Sequence, residues 1–202
     1  MAEWFSEYWK LVVLMVVALA VAIVLFIMAA RATSSHSKVY RQQEQQLREL
    51  AELKNKYRNF TAETLEAFPN DEILKGVNVL YQSCIMKQDD PEKAFLSFSE
   101  EIQYLYVLEV FIEDESAKEF FSQSDVLLKS RILPALEMIG MPDFSLRLSP
   151  IHKMYDKDDE TTSLDIKEIE KLDLYMAEND ILGKIKLSSA EYIKANADKL
   201  KI

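Results

Sequence analysis

Glycine is nearly absent from this chain, with three residues in 202 against a usual share of roughly 7%. So few glycines leave little material for phosphate-cradling loops or tight two-residue hairpins. Cysteine occurs once, at Cys84, which excludes a disulfide framework within the chain. Two histidines, His36 and His152, mean that a zinc site would have to lean on carboxylates. No nucleophile elbow and no HExxH is present. Strand signals are equally thin, and the best candidate, 184–187, is too short to define a sheet. What is left, 49% apolar and 29% charged residues, is too apolar for a disordered chain. The balance predicts an all-α protein.

Positive charge is outnumbered, 24 Lys/Arg against 34 Asp/Glu, and unevenly distributed. The net charge of −10 is the sum of three different regions. Residues 1–30 carry Glu3, Glu7 and Lys10, for −1; residues 31–60 carry seven Lys/Arg against three Glu, for +4; residues 61–202 therefore carry −13. An acidic surface of that size opposes nucleic-acid binding, which needs cations to neutralise phosphates. It permits attraction to a basic partner and repulsion from anionic lipid, and it is also the ordinary route to solubility.

Between Leu11 and Ala30 run 20 consecutive residues with no charge, Gly, Pro or polar side chain. At 1.5 Å per residue they span about 30 Å, the hydrocarbon thickness of a bilayer. Trp4, Tyr8 and Trp9 precede the run, as amphipathic rings at a headgroup boundary do, and Lys10 and Arg31 bracket it. The segment reads as a transmembrane helix. Ala30-Arg31-Ala32 also has the small-x-small form of a signal-peptidase site, but the first nine residues hold two acids and no base, and the run exceeds a signal's apolar region. Arg31, Lys38, Arg41 and Arg48 follow the span, against one Lys before it, which predicts residues 1–10 outside the cell and the C-terminal bulk in the cytoplasm. An unpaired Cys84 suits that reducing compartment. Ala18 and Ala22 form a small-xxx-small pair through which two such helices can approach.

Residues 32–37 are small and polar, a joint after which Ser37 can cap a stalk helix over about 38–60. Glu44–Arg48 and Glu52–Lys56 are i,i+4 pairs in the favoured order, and Leu47, Leu50, Leu53, Tyr57 and Phe60 make the apolar stripe. A heptad register through Tyr40, Leu47 and Lys54 with Gln43, Leu50 and Tyr57 leaves Gln and Lys in the seam, so docking of the stalk's C-terminal half is favoured over self-association.

From Thr61 onward, turn signals divide residues 61–202 into short helices. Thr61 caps a stretch ending before Pro69. Asn70 caps a helix with Ile73, Leu74, Val77, Leu80, Tyr81, Cys84 and Ile85 on one face, which makes Cys84 a core thiol. Asp90-Pro91 is a cap followed by Pro at the first helical position. Ser99 begins a helix so dense in apolar residues, from Ile102 to Ile112, that it should be the core. A helix with Phe120 and Phe121 follows, and then Ser124 caps a longer one that Pro134 should kink, Gly140 closes and Pro142 cannot extend. Beyond the loop at 156–162, helices are expected at about 163–178 and 188–200.

The aromatic-rich EEIQYLYVLEVFIEDE, the KEFFSQ segment and the ALEMIGM ending together resemble, over about 100–148, a bacterial all-helical domain family that includes an acidic DNA-mimic protein. The resemblance implies a helical core and, at one remove, sequestration of a basic protein. Ser116 to Glu119 stand where that family has a glycine-containing turn before the paired Phe.

For chemistry, Asp156, Asp158 and Glu160 place acids at positions 1, 3 and 5 of a calcium loop, but Thr161 and Lys167 replace the Gly and the bidentate Glu it needs. A solvated acidic loop is the better reading. No catalytic, cofactor-binding or metal residue is therefore assigned, and the chain is not expected to be an enzyme. The reading is a single-pass membrane protein whose acidic helical domain acts as a protein-protein interaction module on an unknown protein partner, with sequestration of a basic protein, and after it a membrane-tethered enzyme, as the alternatives.

Overall fold

The computed structural model describes residues 44–155 and 166–201, so the apolar run 11–30, the joint at 32–37 and the acidic triplet Asp156, Asp158 and Glu160 lie outside the described residues. The chain divides into two units, residues 1–51 and 52–202. Among the described residues every regular element is a helix, and none is long and apolar enough to cross a membrane.

Of the first unit, residues 44–51 are described, as part of a helix α1 over 44–57. It is exposed there, with Leu47 and Leu50 open to solvent, and the expected Arg48–Glu44 ion pair closes at 2.6 Å.

The second unit begins inside α1 at Glu52 and continues through α2 (Ala62–Glu66), α3 (Asn70–Ile85), α4 (Pro91–Leu96), α5 (Glu100–Glu113) and α6 (Ala117–Gln123). Then come α7 (Val126–Lys129), α8 (Ile132–Met138), α9 (Pro142–Tyr155), α10 (Ile166–Glu178) and α11 (Ile181–Asn196), closed by one 3-10 turn at Ala197–Lys199. As its density of apolar residues predicts, α5 is the centre: no side chain from Glu101 to Ile112 is fully exposed. It packs between α3 and α8, α11 lies along α3, and α9 lies on α8. Asn78 Nδ2 donates to the Leu105 carbonyl at 3.1 Å, and the Tyr81 and Phe98 rings meet at 5.9 Å, so α3 and α5 run antiparallel. Edge contacts of Phe111 with Phe120 (5.2 Å) and Phe144 (6.3 Å) join α5, α6 and α9. Each such aromatic, fully buried, contributes about 1.5–3 kcal/mol. Tyr57, the last helical residue of α1, is buried against Gly76 of α3, where a Cβ would overlap its ring.

Several capping expectations hold. Thr61 forms a reciprocal capping box with Thr64, and Asp90 accepts from the Lys93 N–H at 3.0 Å with Pro91 at the first helical position. Gly140 closes α8 with φ +78°, its N–H on the Glu137 carbonyl (3.0 Å) and the Met141 N–H on the Leu136 carbonyl (2.9 Å), the paired bonds of a Schellman turn.

Others are corrected. Asn70 is the first helical residue of α3 and does not cap it. Lys56 pairs with Glu72 across the chain. The long helix expected after Ser124 is two: Asp125, not Ser124, caps α7, and the break at Ser130–Arg131 precedes Pro134, which then sits in the first turn of α8 where a missing N–H costs nothing. Pro142 starts α9, a helix the sequence pattern did not announce. Residues 184–187 are helical within α11, which begins at Ile181. Cys84 is half-buried, at the edge of its stripe.

Candidate functional site

Two short helices, α4 and α7, flank an open, largely apolar surface. Both are short because each is punctuated by its own cap: Asp90 starts α4, and Asp125 starts α7 by accepting from the Leu128 N–H at 3.3 Å. Helices of six and four residues bury little. α4 places Phe95 in the core, 5.4 Å from the Tyr106 ring of α5, and leaves Leu96 out; α7 buries no residue fully, with Leu127 and Leu128 half-buried and Val126 71% exposed.

The space between them is a groove of about 440 Å³, within the range of ligand-sized clefts. Its floor is Ile85, Phe95, Tyr106, Leu127 and Leu128, and its rim carries Asp90, Glu92 and Asp125, all three exposed. The Tyr106 hydroxyl is held above the usual phenol range by burial and then by Glu113 and Asp125. Arg131 braces the groove from behind. Its Nε donates to Gln103 Oε1 at 2.8 Å, its Nη1 to the Leu127 carbonyl at 3.0 Å, and its guanidinium lies 5.7 Å from the centre of the Phe95 ring. Gln103 in turn donates to the Phe98 carbonyl at 2.8 Å, so the turn after α4 and the end of α7 are tied to the start of α5.

Three other cavities are less suited to docking. On the far side of α4, a second space of about 440 Å³ is more polar, lined by Cys84, Gln88, Asp89 and Lys93 among others. Between α9 and α10 an equal volume is lined by Arg147, whose guanidinium stacks 4.4 Å from the Tyr175 ring centre. A space of about 290 Å³ beside α10 contains Asp173, but that carboxylate is engaged in accepting from the Ala117 N–H at 2.7 Å. Burial, ahead of the opposing backbone bonds, leaves Asp173 raised above the carboxylate range.

Among the described residues one carboxylate is buried inside the fold. Glu109 of α5 is buried, and its carboxyl is pushed up to about 7 by that burial and by Glu113, against the opposing pull of Lys75 and Lys186. His152 is half-buried with its ring 6.4 Å from that of Phe121, and His36 lies outside the described residues. Among the described residues no group of three His, Cys, Asp or Glu is placed to hold a metal ion.

The sequence marks Asp90 as a cap and places Tyr106 within the dense helix from Ile102 to Ile112, but does not show their meeting with Asp125 and Leu127. A helix start at Ser124 is legible in the sequence, but the break at Ser130–Arg131 that makes α7 short is not. No family model, curated protein or solved structure matches this chain, so the groove is interpreted from its own geometry.

Proposed function

We propose that this chain is a single-pass membrane protein whose acidic helical unit serves as a protein-protein interaction module, an adaptor or scaffold held at the cytoplasmic face. The tether is argued from the apolar run 11–30 and the Lys/Arg bias after it. The observation that carries the interaction role is the groove between α4 and α7, where Leu127, Leu128 and Tyr106 lie half-open under an acidic rim, uncovered by any other element among the described residues. Half-open aromatic and aliphatic side chains ringed by charge are the usual anatomy of a docking surface.

A photo-crosslinking residue tests this in membranes from cells making the full chain. Placed at Leu127 it is expected to give a discrete adduct with another protein, and placed at Leu187 of α11, also exposed, it is expected to give none. Equal adducts at both positions, or none at either, contradict the role assigned to the groove. A second reading follows from the likeness over about 100–148 and the charge of −13: sequestration of a basic, nucleic-acid-binding protein. In that case double-stranded DNA added before irradiation competes the adduct away.

A further inference from the structure

Resting on the docking role of the groove, we infer that its occupant is a cationic amphipathic helix of a partner protein. Three features of the site point to that chemistry. The first is its mixed character: an apolar floor, centred on Phe95, Tyr106 and Leu127, lies beneath Asp90, Glu92 and Asp125, with no Lys or Arg among the lining residues. An occupant must therefore bring apolar side chains on one face and positive charge beside them.

The second is that the charge is held in place. Asp90 and Asp125 each have one carboxylate oxygen on a backbone N–H of their own helix, so they stand at the rim in a fixed position, and an ordered charge loses less entropy on pairing than a mobile one. Two cations lie close by. Arg131 is engaged with Gln103 and the Leu127 carbonyl, and Lys129 sits near Asp125, leaving acid in excess at the rim.

The third is the shape of the walls. The groove is bounded by helices, and among the described residues no strand offers an edge. An extended peptide then has no backbone template to pair with, whereas a helix can lay apolar residues at i, i+3, i+4 and i+7 along the floor. Its flanking Lys or Arg would fall beside the three acids.

The test uses the full chain in nanodiscs of phosphatidylcholine, with empty discs as the lipid control. The probe is a fluorescent synthetic helix of about 14 residues, Leu at the i, i+3, i+4 and i+7 positions and Lys elsewhere, read by anisotropy. A Glu-for-Lys version of the same peptide is the charge control. The combined substitution Asp90→Asn, Glu92→Gln, Asp125→Asn removes the rim charge but keeps both helix caps, since Asn caps as well as Asp. The combined substitution Glu170→Gln, Glu178→Gln, Glu191→Gln removes the same charge from α10 and α11.

The Lys peptide is expected to bind the unaltered chain, to lose at least about tenfold in affinity to the rim variant, and to change less than about twofold with the second variant. The Glu peptide is expected not to bind. Equal losses with the two variants would mean that only the overall field is sensed, and would overturn the inference, as would failure of the Lys peptide. A full chain whose self-association is abolished by the rim substitutions would overturn it too, by placing a second copy in the groove. An adduct at Leu127 together with no Lys-peptide binding leaves the docking role standing and rejects the cationic helix. Absence of that adduct rejects both.

Discussion

Gly76 is fixed by a neighbour from another helix, because the Tyr57 ring fills the space its Cβ would need. In an unencumbered helix Ala is favoured over Gly by about 0.5–1 kcal/mol, so the sign of Gly76→Ala reports on the tyrosine. In the native background it should destabilise by about 1–3 kcal/mol, the usual cost of overpacking. With Tyr57→Ala already present it should become neutral or stabilising, as urea titration of all four chains would show. Equal effects in the two backgrounds would contradict the packing. Glu109 gives a second residue-scale test. Its carboxyl titrates near about 7 in the folded protein and near ~4.3 unfolded, so the folded state holds the extra proton between those values. Stability should fall as pH rises through that window and level off above it. Glu109→Gln should remove the fall attributable to this group and leave the variant more stable than the native chain at pH 8, measured as urea midpoints at pH 5 and pH 8; parallel midpoints would contradict it. A sequence shows none of this, since Glu109 lies among apolar neighbours in the chain and its burial comes from helices that close over it.

At the scale of elements, what a sequence reveals depends on whether the signal is local. The stripe of α3 and the caps at Thr61, Asp90 and Gly140 are all contained within a few residues, and each was legible. α9 was not, because a proline ends one helix and starts another equally well, and only the packing of Phe144, Leu148 and Ile151 decides that Pro142 starts one. The same holds for α11, where an alternation short enough to pass for a strand is one side of a helix lying on α3. The groove was the least legible feature, since its floor comes from four elements that meet only in the folded unit. Arg131 is what holds α7 there, and its bonds to Gln103 and to the Leu127 carbonyl predict the effect of losing it. Arg131→Ala should cost about 1.5–3 kcal/mol, the range for hydrogen bonds to a charged group. It should also speed amide exchange in α7 ahead of α5. Uniform acceleration across the unit would instead mean that the arginine adds stability without positioning α7.

For the whole molecule, the uneven charge is the organising fact: +4 in residues 31–60 and −13 beyond them. A tether through residues 11–30 would leave the basic stretch beside anionic headgroups and keep the acidic unit off the lipid. If so, the full chain should resist alkaline extraction from membranes, and protease added to intact cells should spare residues 61–202; digestion of that region would reverse the proposed orientation. The role given to the groove is tested most directly by combining the Leu127 photo-crosslinker with the three rim substitutions Asp90→Asn, Glu92→Gln and Asp125→Asn in membranes of cells making the full chain. The expected result is one discrete adduct whose yield drops about tenfold when the rim is neutralised, and an adduct of undiminished yield would contradict recognition by that acidic rim.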